Sequence, residues 1–344
     1  MEVGKSYFTK LLILREYITD VKQYIFDPEG EYSFIAKFTN GTNVDFLNKD
    51  KFNILDITET DILKSNYLDN KVDYVYNFLS EFINMEENEE IVLNCIKNVY
   101  LNKGITEDIN TMYVSNNDGN IYLNKKLKDS SYMPILEDIY TNMKLYLNKQ
   151  NKSLKTIILK LNQLLDSNSF MNGCTTFKFS DDITVFNISN LEINVRNVMF
   201  KTLLSRITDI IKNSKVKHLI YIDEIWRFIY NNEYLSEKIF ELFKTIRKLN
   251  AGIIVISQDI SDFFSKDSGT YGKSILNNSF IKMFFRMEYS DTDILNRIGI
   301  FENEEINNIY KLNKGSCLMS FQGNSIILDV KSSKYENQII KGEF

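Results

Sequence analysis

Two adjacent acids follow an apolar run in the second half of this chain. Asp223 and Glu224 come directly after residues 219–222, which are typical of a buried strand. Ligands of open α/β sheets bind at the carboxyl ends of the strands, so the pair lies where chemistry is expected. One carboxylate can hold Mg²⁺, usually through water, and the other can polarise an attacking water. A solvated acidic turn is the alternative interpretation, because short motifs often occur by chance.

A second candidate site lies at the start of the chain. Gly4, Lys5 and Ser6 precede an apolar helical segment and match the end of a phosphate-binding loop, GxxxxGK[ST]. In such a loop backbone N–H groups cradle phosphate, the lysine reaches the β- and γ-phosphate oxygens, and the hydroxyl binds Mg²⁺. A similar GKS triplet occurs at 272–274. We favour residues 4–6, because they open a helix ahead of the acid pair.

The third candidate is Gln258, which ends a second apolar segment, 252–258. If this segment is a strand beside the one that carries Asp223, the amide of Gln258 can sense a γ-phosphate or orient water. An ordinary polar residue at a strand end is the alternative.

Composition excludes several classes of protein. The 344 residues carry a formal charge of −5 and contain no basic block, which argues against a protein that grips nucleic acid over its whole surface. The single histidine, His218, excludes a multi-histidine metal site. Three distant cysteines without a CxxC pair predict reduced thiols. No run of 18 apolar residues occurs, so we predict a cytoplasmic protein, with peripheral docking at the cytoplasmic face of the cell membrane left open.

The elements that must position these residues follow from periodicity. Helices are predicted at 5–19, 198–213 and 236–250, and several more fall between 59 and 150. Strands are predicted at 23–26, 43–48, 52–57, 174–179, 184–190, 218–223, 252–258 and 279–287, and a terminal hairpin turns at Gly323-Asn324. Apolar strands separated by helices predict a mostly parallel sheet covered by helices on both faces. We predict an α/β core at 1–58 and 151–344 and an all-helical insertion at 59–150.

Several segments in this order resemble one family. DPEGEY at 27–32 and RKLNAGIIVISQD at 247–259 are the more specific pieces, and YIDEIWRFI at 221–229 contains the acid pair. Together they resemble the conjugation, or type IV secretion, ATPases of the VirB/TraC kind, which belong to the HerA/FtsK superfamily of hexameric motors. The resemblance spans residues 4 to about 330. It implies a RecA-like P-loop NTPase fold and an ATPase that uses ATP and Mg²⁺.

The resemblance also implies roles for residues of the site. Gly4, Lys5, Ser6 and Tyr7 would bind the nucleotide, with Ser6 and Asp223 holding the metal. Glu224 would be the catalytic base and Gln258 the sensor. An arginine from a neighbouring subunit would complete the site, and the candidates are Arg247 and Arg286. The acids of DPEGEY, Asp27, Glu29 and Glu31, either approach the nucleotide or belong to a turn formed by Pro28 and Gly30.

Partners follow from the same resemblance. A homo-hexamer is expected, together with other secretion-channel components at the inner face of the membrane, and direct nucleic-acid binding is left open. Family members usually carry a further N-terminal domain and a strand before the phosphate loop, where this chain has only Met1-Glu2-Val3. We therefore expect the C-terminal motor domain of a longer protein, truncated at the loop. The alternatives are a remnant unable to use nucleotide, acting only through protein interaction, and a DNA translocase of the same superfamily.

Overall fold

The computed structural model describes all residues except 1–3, 116–120, 123–124, 148–150, 180, 231, 265–268, 289–293, 297–300, 302, 322 and 344. The chain divides into two compact units. The first comprises residues 1–44 and 179–344, and the second comprises residues 45–178. The Met1-Glu2-Val3 segment lies outside the described residues.

The strands of the described residues are numbered in chain order. They are β1 (Lys22–Asp27), β2 (Thr42–Asp45), β3 (Val114–Ser115), β4 (Ile121–Tyr122), β5 (Ile183–Asn187), β6 (His218–Ile222), β7 (Ala251–Val255), β8 (Ile281–Phe285), β9 (Ser316–Phe321) and β10 (Asn324–Asp329).

The helices are numbered in the same way. They are α1 (Lys5–Tyr17), α2 (Ser33–Phe38), α3 (Tyr67–Ser80), α4 (Glu89–Asn102), α5 (Lys125–Lys128), α6 (Leu136–Leu145), α7 (Lys152–Ser167), α8 (Ile193–Lys212), α9 (Trp226–Ile229), α10 (Glu233–Thr245) and α11 (Gly269–Asn278), followed by two short helices at Asn303–Ile309 and Lys334–Ile340.

The core of the first unit is a five-stranded sheet in the order β2-β5-β1-β6-β7. β1 pairs in parallel with both β5 and β6, and β6 pairs in parallel with β7. Residues 24–26 of β1 and 219–222 of β6 are apolar without interruption, as expected for strands with both faces buried. The predicted, mostly parallel sheet is therefore confirmed.

Alternate residues of β1 face different layers. Ile25 belongs to a cluster with Leu11 and Leu14 of α1, on one face of the sheet. Phe26 points to the other face, where its ring contacts Phe200 of α8 at a centroid distance of 4.6 Å. Because successive strand residues point to opposite faces, this one apolar strand holds helices on both sides of the sheet.

The predicted C-terminal hairpin is present, and it recruits one further strand. β9 pairs antiparallel with β10, and β8 pairs antiparallel with the other side of β9. The alternation of strands and helices had assigned 279–287 to the parallel sheet. It instead joins the hairpin, because the apolar residues Phe284 and Leu318 of β8 and β9 share a small core of their own.

The second unit is mostly helical, with α3, α4, α6 and α7 as its main elements. It also contains the short antiparallel pair β3-β4, so the unit is not all-helical as predicted. Its limits, 45–178, extend beyond the predicted insertion at 59–150. Both margins are irregular segments that pair with each other, as in the hydrogen bond from the Phe52 N–H to the Phe170 carbonyl, at 2.9 Å.

Two strands predicted for these margins are wrong. Residues 52–57 and 174–179 are irregular, although most of their apolar side chains are buried. Side chains take the place of a ladder, since the hydroxyl of Thr175 accepts the N–H of Asn53 and that of Thr176 accepts the N–H of Lys51. Short apolar runs bury side chains in loops as readily as in strands once the backbone polar groups have such partners. No helix of the described residues is long and apolar enough to cross a bilayer.

Candidate active site

Three strand ends bring the predicted residues together at one edge of the sheet. Phe26, Ile222 and Val255 are in register across β1, β6 and β7. Asp27 ends β1, Asp223 follows β6, and Gln258 lies three residues beyond β7. Since all three strands are parallel, these polar side chains emerge at the same carboxyl edge, where open α/β sheets bind their ligands.

Asp223 is almost completely buried, with 4% of its surface exposed. Its Oδ2 accepts a hydrogen bond from the Tyr32 hydroxyl at 2.9 Å, and its Oδ1 accepts the N–H of Glu224 at 3.0 Å. Burial raises the pKa of Asp223 to about 6, and the neighbouring charge of Glu224 adds to the rise, while the hydrogen bond from Tyr32 opposes it. This carboxylate is therefore costly to ionise until a cation approaches it.

Asp27 organises the loop that delivers Tyr32. Its carboxylate accepts the backbone N–H groups of residues 29–32, at distances between 2.7 and 3.3 Å. Gly30 adopts a φ of +76°, which the tight turn requires and other residues rarely allow. Burial raises the pKa of Asp27, and the four N–H donors oppose this rise. Asp27 is thus engaged inside the turn, and the turn places a tyrosine hydroxyl on Asp223.

The two outer acids of this loop form ion pairs on its surface. Glu29 pairs with Arg227 of α9, and Glu31 pairs with Lys10 of α1 at 3.0 Å. The side chains of both acids are more than a third exposed. These contacts attach the loop to the two elements that flank it.

Glu224 is 5% exposed, and both of its carboxylate oxygens accept hydrogen bonds from side chains. Gln258 donates its amide Nε2–H to Oε1 at 2.6 Å, and Trp226 donates its indole Nε1–H to Oε2 at 2.5 Å. The backbone of Glu224 has a φ of +46°, in the left-handed region that residues other than glycine seldom adopt. Such strain persists only where the surroundings enforce it, and it clusters at functional sites.

The start of α1 reaches this acid edge through Lys5. Its Nζ donates to the backbone carbonyl of Gln258 at 2.6 Å. Gly4 is the N-cap, and it provides no side chain to bond the first N–H groups of the helix. Because those N–H groups and the helix dipole favour an anion, the first turn of α1 is suited to a phosphate. The structure thus brings Lys5, Glu224 and Gln258 into one hydrogen-bonded chain.

The hydroxyl of Tyr7 points away from this edge. It forms hydrogen bonds with Ser332 and with Asn337, the latter at 3.2 Å and on the C-terminal helix Lys334–Ile340. A role for Tyr7 toward a nucleotide is therefore confined to its backbone N–H group, and its side chain fixes α1 to the end of the chain.

The second GKS triplet, 272–274, lies inside α11. A methyl group on Gly272 would come within 2.5 Å of the carbonyl oxygen of Phe263, so this glycine serves close packing. N–H groups in the interior of a helix are already used by its own carbonyls. Residues 4–6 open a helix and residues 272–274 lie inside one, so the preference for residues 4–6 is consistent with the structure.

The residues proposed for Mg²⁺ fit a hard cation. Ser6 would offer a hydroxyl oxygen and Asp223 a carboxylate, and oxygen ligands of this kind, few in number and supplemented by water, suit Mg²⁺. The burial of Asp223, which is 4% exposed, supports the fit, because a bound cation would offset the cost of its charge. Within the described part of the chain, no cluster of three or more His, Cys, Asp or Glu residues could hold a metal.

The two arginine candidates lie in different places. Arg247 is exposed on the short helical turn that precedes β7, and therefore at the amino end of that strand, away from this chain's own acid edge. Arg286 is also exposed and directly follows β8, whose Phe285 ring lies 5.8 Å from that of Phe8 in α1. The structure leaves both available to another copy of the chain.

Sequence reasoning missed two residues of this edge, Tyr32 and Trp226. Both belong to segments already singled out, DPEGEY and YIDEIWRFI. The signal that could have found Trp226 is its position two residues beyond Glu224. Tyr32 carries no such signal, because its contact with Asp223 spans 191 residues of sequence.

Comparisons with known proteins concern the family and the fold of this chain. The family model described as "Helicase HerA, central domain" matches residues 3–207. The structure of VirB4 of Thermoanaerobacter pseudethanolicus aligns with 98% of this chain and 88% of its own, at a TM-score of 0.77 and 21% identity. A comparison with curated protein sequences finds no significant match.

A second solved protein is also similar in fold. The unbound monoclinic form of the bacterial conjugative coupling protein TrwBdeltaN70 aligns with 96% of this chain and 83% of its own, at a TM-score of 0.57 and 9% identity. Its trigonal form in complex with sulphate gives a TM-score of 0.55 at 10% identity, over 96% of this chain and 82% of that one. The likeness confirms the predicted RecA-like fold.

Proposed function

Because its family model matches residues 3–207, this chain belongs to the family of the HerA helicase central domain, and we propose that it is an ATP-hydrolysing motor of a conjugation or type IV secretion system. The fold that it shares with VirB4 and with the conjugative coupling protein TrwB supports this proposal. Assembly into a hexamer, and docking on channel components at the cytoplasmic face of the membrane, are part of it.

One observation carries the proposal. The first turn of α1, which we call the phosphate side, meets Asp27, Asp223 and Glu224, which we call the acid side. Lys5 contacts the backbone of Gln258 at 2.6 Å, and the side chain of Gln258 contacts Glu224 at 2.6 Å. A GKS triplet that occurred by chance would not be expected at the carboxyl edge of the sheet beside two buried acids. A triplet at this edge fits a site for a nucleoside triphosphate.

Each residue has a role in this proposal. The N–H groups of residues 4–7 and the ammonium of Lys5 hold the phosphates, while the oxygens of Ser6 and Asp223 hold Mg²⁺. Bound Mg²⁺ supplies charge neutralisation at the β- and γ-phosphate oxygens. Glu224 orients the attacking water and accepts its proton, and Gln258 senses the γ-phosphate. An arginine of a second copy, Arg247 or Arg286, stabilises the charge that develops on the transferred phosphoryl group.

The test is Mg²⁺-dependent ATP turnover measured over a range of protein concentrations, with Lys5→Ala in parallel. We expect the specific activity to rise with concentration, because an arginine supplied by a second copy requires assembly. Lys5→Ala should lower turnover by about 10²-fold or more, since the lysine contacts the charge of the transferred group. Lys238→Ala is the matched control, because it removes a lysine that pairs with Glu241 on the exposed face of α10. Absence of turnover at every concentration would contradict the proposal.

A DNA translocase of the same superfamily is the second candidate, favoured by the helicase named in the family description. It shares the ATPase site and differs in its partner. Turnover that rises several-fold on adding double-stranded DNA, with a steep dependence on salt, would favour this candidate over a channel-assembly motor.

A further inference from the structure

The indole of Trp226 holds one oxygen of Glu224, and nothing in the sequence pattern assigned it a role. We propose that Trp226 is a positioning residue, which fixes the carboxylate of Glu224 for the attacking water while Gln258 changes partners on nucleotide binding. The inference rests on the proposed function, in which Glu224 is the base. It concerns a second residue of the same site, with its own test.

Hydrogen bonds restrain the backbone on both sides of Glu224, so the direction of its carboxylate depends on contacts with side chains. The N–H of Glu224 donates to Oδ1 of Asp223, and the N–H of the next residue, Ile225, donates to the carbonyl of Ile256 at 2.9 Å. The left-handed conformation of Glu224 lies between these two bonds. The remaining freedom is in the χ angles of the glutamate, and the donors on its two oxygens restrict it.

The two donors differ in what else they touch. Gln258 is bonded to Lys5 through its backbone carbonyl and to Glu224 through its amide. When the ammonium of Lys5 turns to a phosphate, Gln258 loses that donor and can shift. Trp226 has no part in the Lys5 contact. Its indole therefore keeps hold of Oε2 of Glu224 through the step in which the other donor moves.

The indole is itself well supported. Trp226 is the first residue of α9, two residues beyond Glu224, and the guanidinium of Arg227 lies over its ring at 5.1 Å from the centroid. Arg227 is in turn paired with Glu29 of the loop after β1. A planar ring stacked in this way loses little conformational entropy when its N–H is used, and it presents that donor at a fixed position.

The first experiment replaces Trp226 by phenylalanine, which keeps an aromatic ring and removes the N–H. We expect kcat for ATP to fall about 10- to 100-fold with the KM for ATP within about twofold of the parent, because misorientation of a base impairs the transition state and spares ground-state binding. Tyr230→Phe is the matched control, since it alters an exposed aromatic residue just after α9. A Trp226→Phe chain that keeps the parent's thermal unfolding midpoint and its kcat would overturn the inference.

A second measurement does not depend on activity or on that variant. Trp226 is the single tryptophan of the chain, so intrinsic tryptophan fluorescence reports on the surroundings of this one side chain. The emission of the parent should differ from that of Glu224→Ala, which removes the acceptor of the indole N–H. The difference should persist with Mg²⁺ and a non-hydrolysable ATP analogue. Coincident spectra of the two chains with the analogue bound would show that the indole does not hold Glu224 in the working state.

The outcomes separate this inference from the proposed function. If Glu224→Gln turns over ATP like the parent, Glu224 is not the base and the proposed mechanism fails. If Glu224→Gln is inactive while Trp226→Phe matches the parent in kcat, the mechanism stands and the inference about Trp226 is wrong. Loss of kcat in both, with distinct emission spectra, supports both.

Discussion

The two sides of the candidate site are built differently. On the acid side, Asp27, Asp223 and Glu224 are each at most 5% exposed, and every carboxylate accepts hydrogen bonds from the protein itself. On the phosphate side, the first turn of α1 is half-buried, its N-cap is a glycine without a capping side chain, and its lysine reaches across to Gln258.

This difference shows where preorganisation resides. The acid side is fixed by parallel strands and a buried turn, so its geometry exists before any ligand arrives. The phosphate side depends on how firmly α1 is held. Its supports are the apolar contacts with the sheet and the bonds from Tyr7 and Arg15 to the C-terminal segment. We therefore expect changes on the acid side to alter catalysis and changes around α1 to alter stability and binding.

The largest expected effect is on the acid side. Glu224→Gln should lower kcat about 10²- to 10⁴-fold, because an amide cannot accept a proton from the attacking water. Nucleotide affinity should remain close to that of the parent, since neither the phosphates nor Mg²⁺ are assigned to Glu224. Turnover and equilibrium binding of a fluorescent ATP analogue, measured on the same preparation, check this expectation.

Glu241→Gln is the matched control, because it removes one acid from an exposed ion pair with Lys238 on α10. Equal losses of kcat in both variants would contradict a catalytic role for Glu224 and the proposed difference between the two sides of the site.

An intermediate effect is expected at Tyr32. Tyr32→Phe removes the hydroxyl that donates to Asp223 Oδ2, and a hydrogen bond to a charged group contributes about 1.5–3 kcal/mol. The Mg²⁺ concentration for half-maximal turnover should rise about tenfold, a change of about 1.4 kcal/mol, with kcat at saturating Mg²⁺ near that of the parent. Tyr17→Phe is the control. Tyr17 is the last residue of α1, away from the acid side, and its hydroxyl donates to the carbonyl of Thr39.

The same pair predicts a pH dependence. The metal-free carboxylate of Asp223 has a pKa of about 6, above its ordinary value of 3.8, so protons should compete with the proposed Mg²⁺ as pH falls below about 6. The hydrogen bond from Tyr32 lowers that pKa, so the acid limb of the turnover profile should lie at higher pH in Tyr32→Phe. An unmoved acid limb would mean that Tyr32 does not act on this carboxylate.

The smallest effect concerns the support of α1. Arg15 bonds Glu336 of the C-terminal helix at 2.9 Å, and this hydrogen bond lowers the pKa of Glu336 to about 2. The side chain of Arg15 is 51% exposed, so screening limits the pair to about 0.5–1 kcal/mol. A depressed folded pKa contributes stability above the unfolded value of about 4.5, and that contribution is lost as pH falls toward 2.

Arg15→Ala should therefore lower the free energy of unfolding at pH 7 by this amount, and by less at pH 3. Urea denaturation at the two pH values measures it, with Lys238→Ala as a control for an exposed pair within one helix. A loss of equal size at both pH values would assign the effect to the packing of the arginine stem on α1.

Much of the fold could be predicted from the sequence, and so could the candidate residues of the acid side. Residues 219–222 of β6 and 251–255 of β7 are continuous apolar runs, β1 has the shorter run 24–26, and such runs predict buried parallel strands from local pattern alone. The order of strand, acid pair, helix and strand placed Asp223, Glu224 and Gln258 at one edge. Prediction failed where apolar residues are buried in irregular segments, as at 52–57, because side chains such as Thr175 satisfy the backbone there.

The sequence by itself therefore determined the inner strands of the parallel sheet and the edge at which their polar residues emerge, since both follow from the apolar runs and the direction of parallel strands. Only the tertiary structure decided which groups complete the site. Tyr32 reaches Asp223 through a turn that Asp27 holds, and Trp226 and Gln258 meet on Glu224 from different segments. The contacts of Tyr32 and Gln258 join residues 191 and 34 positions apart, which no local pattern encodes, while the position of Trp226 beside Glu224 is local and only the direction of its indole is tertiary.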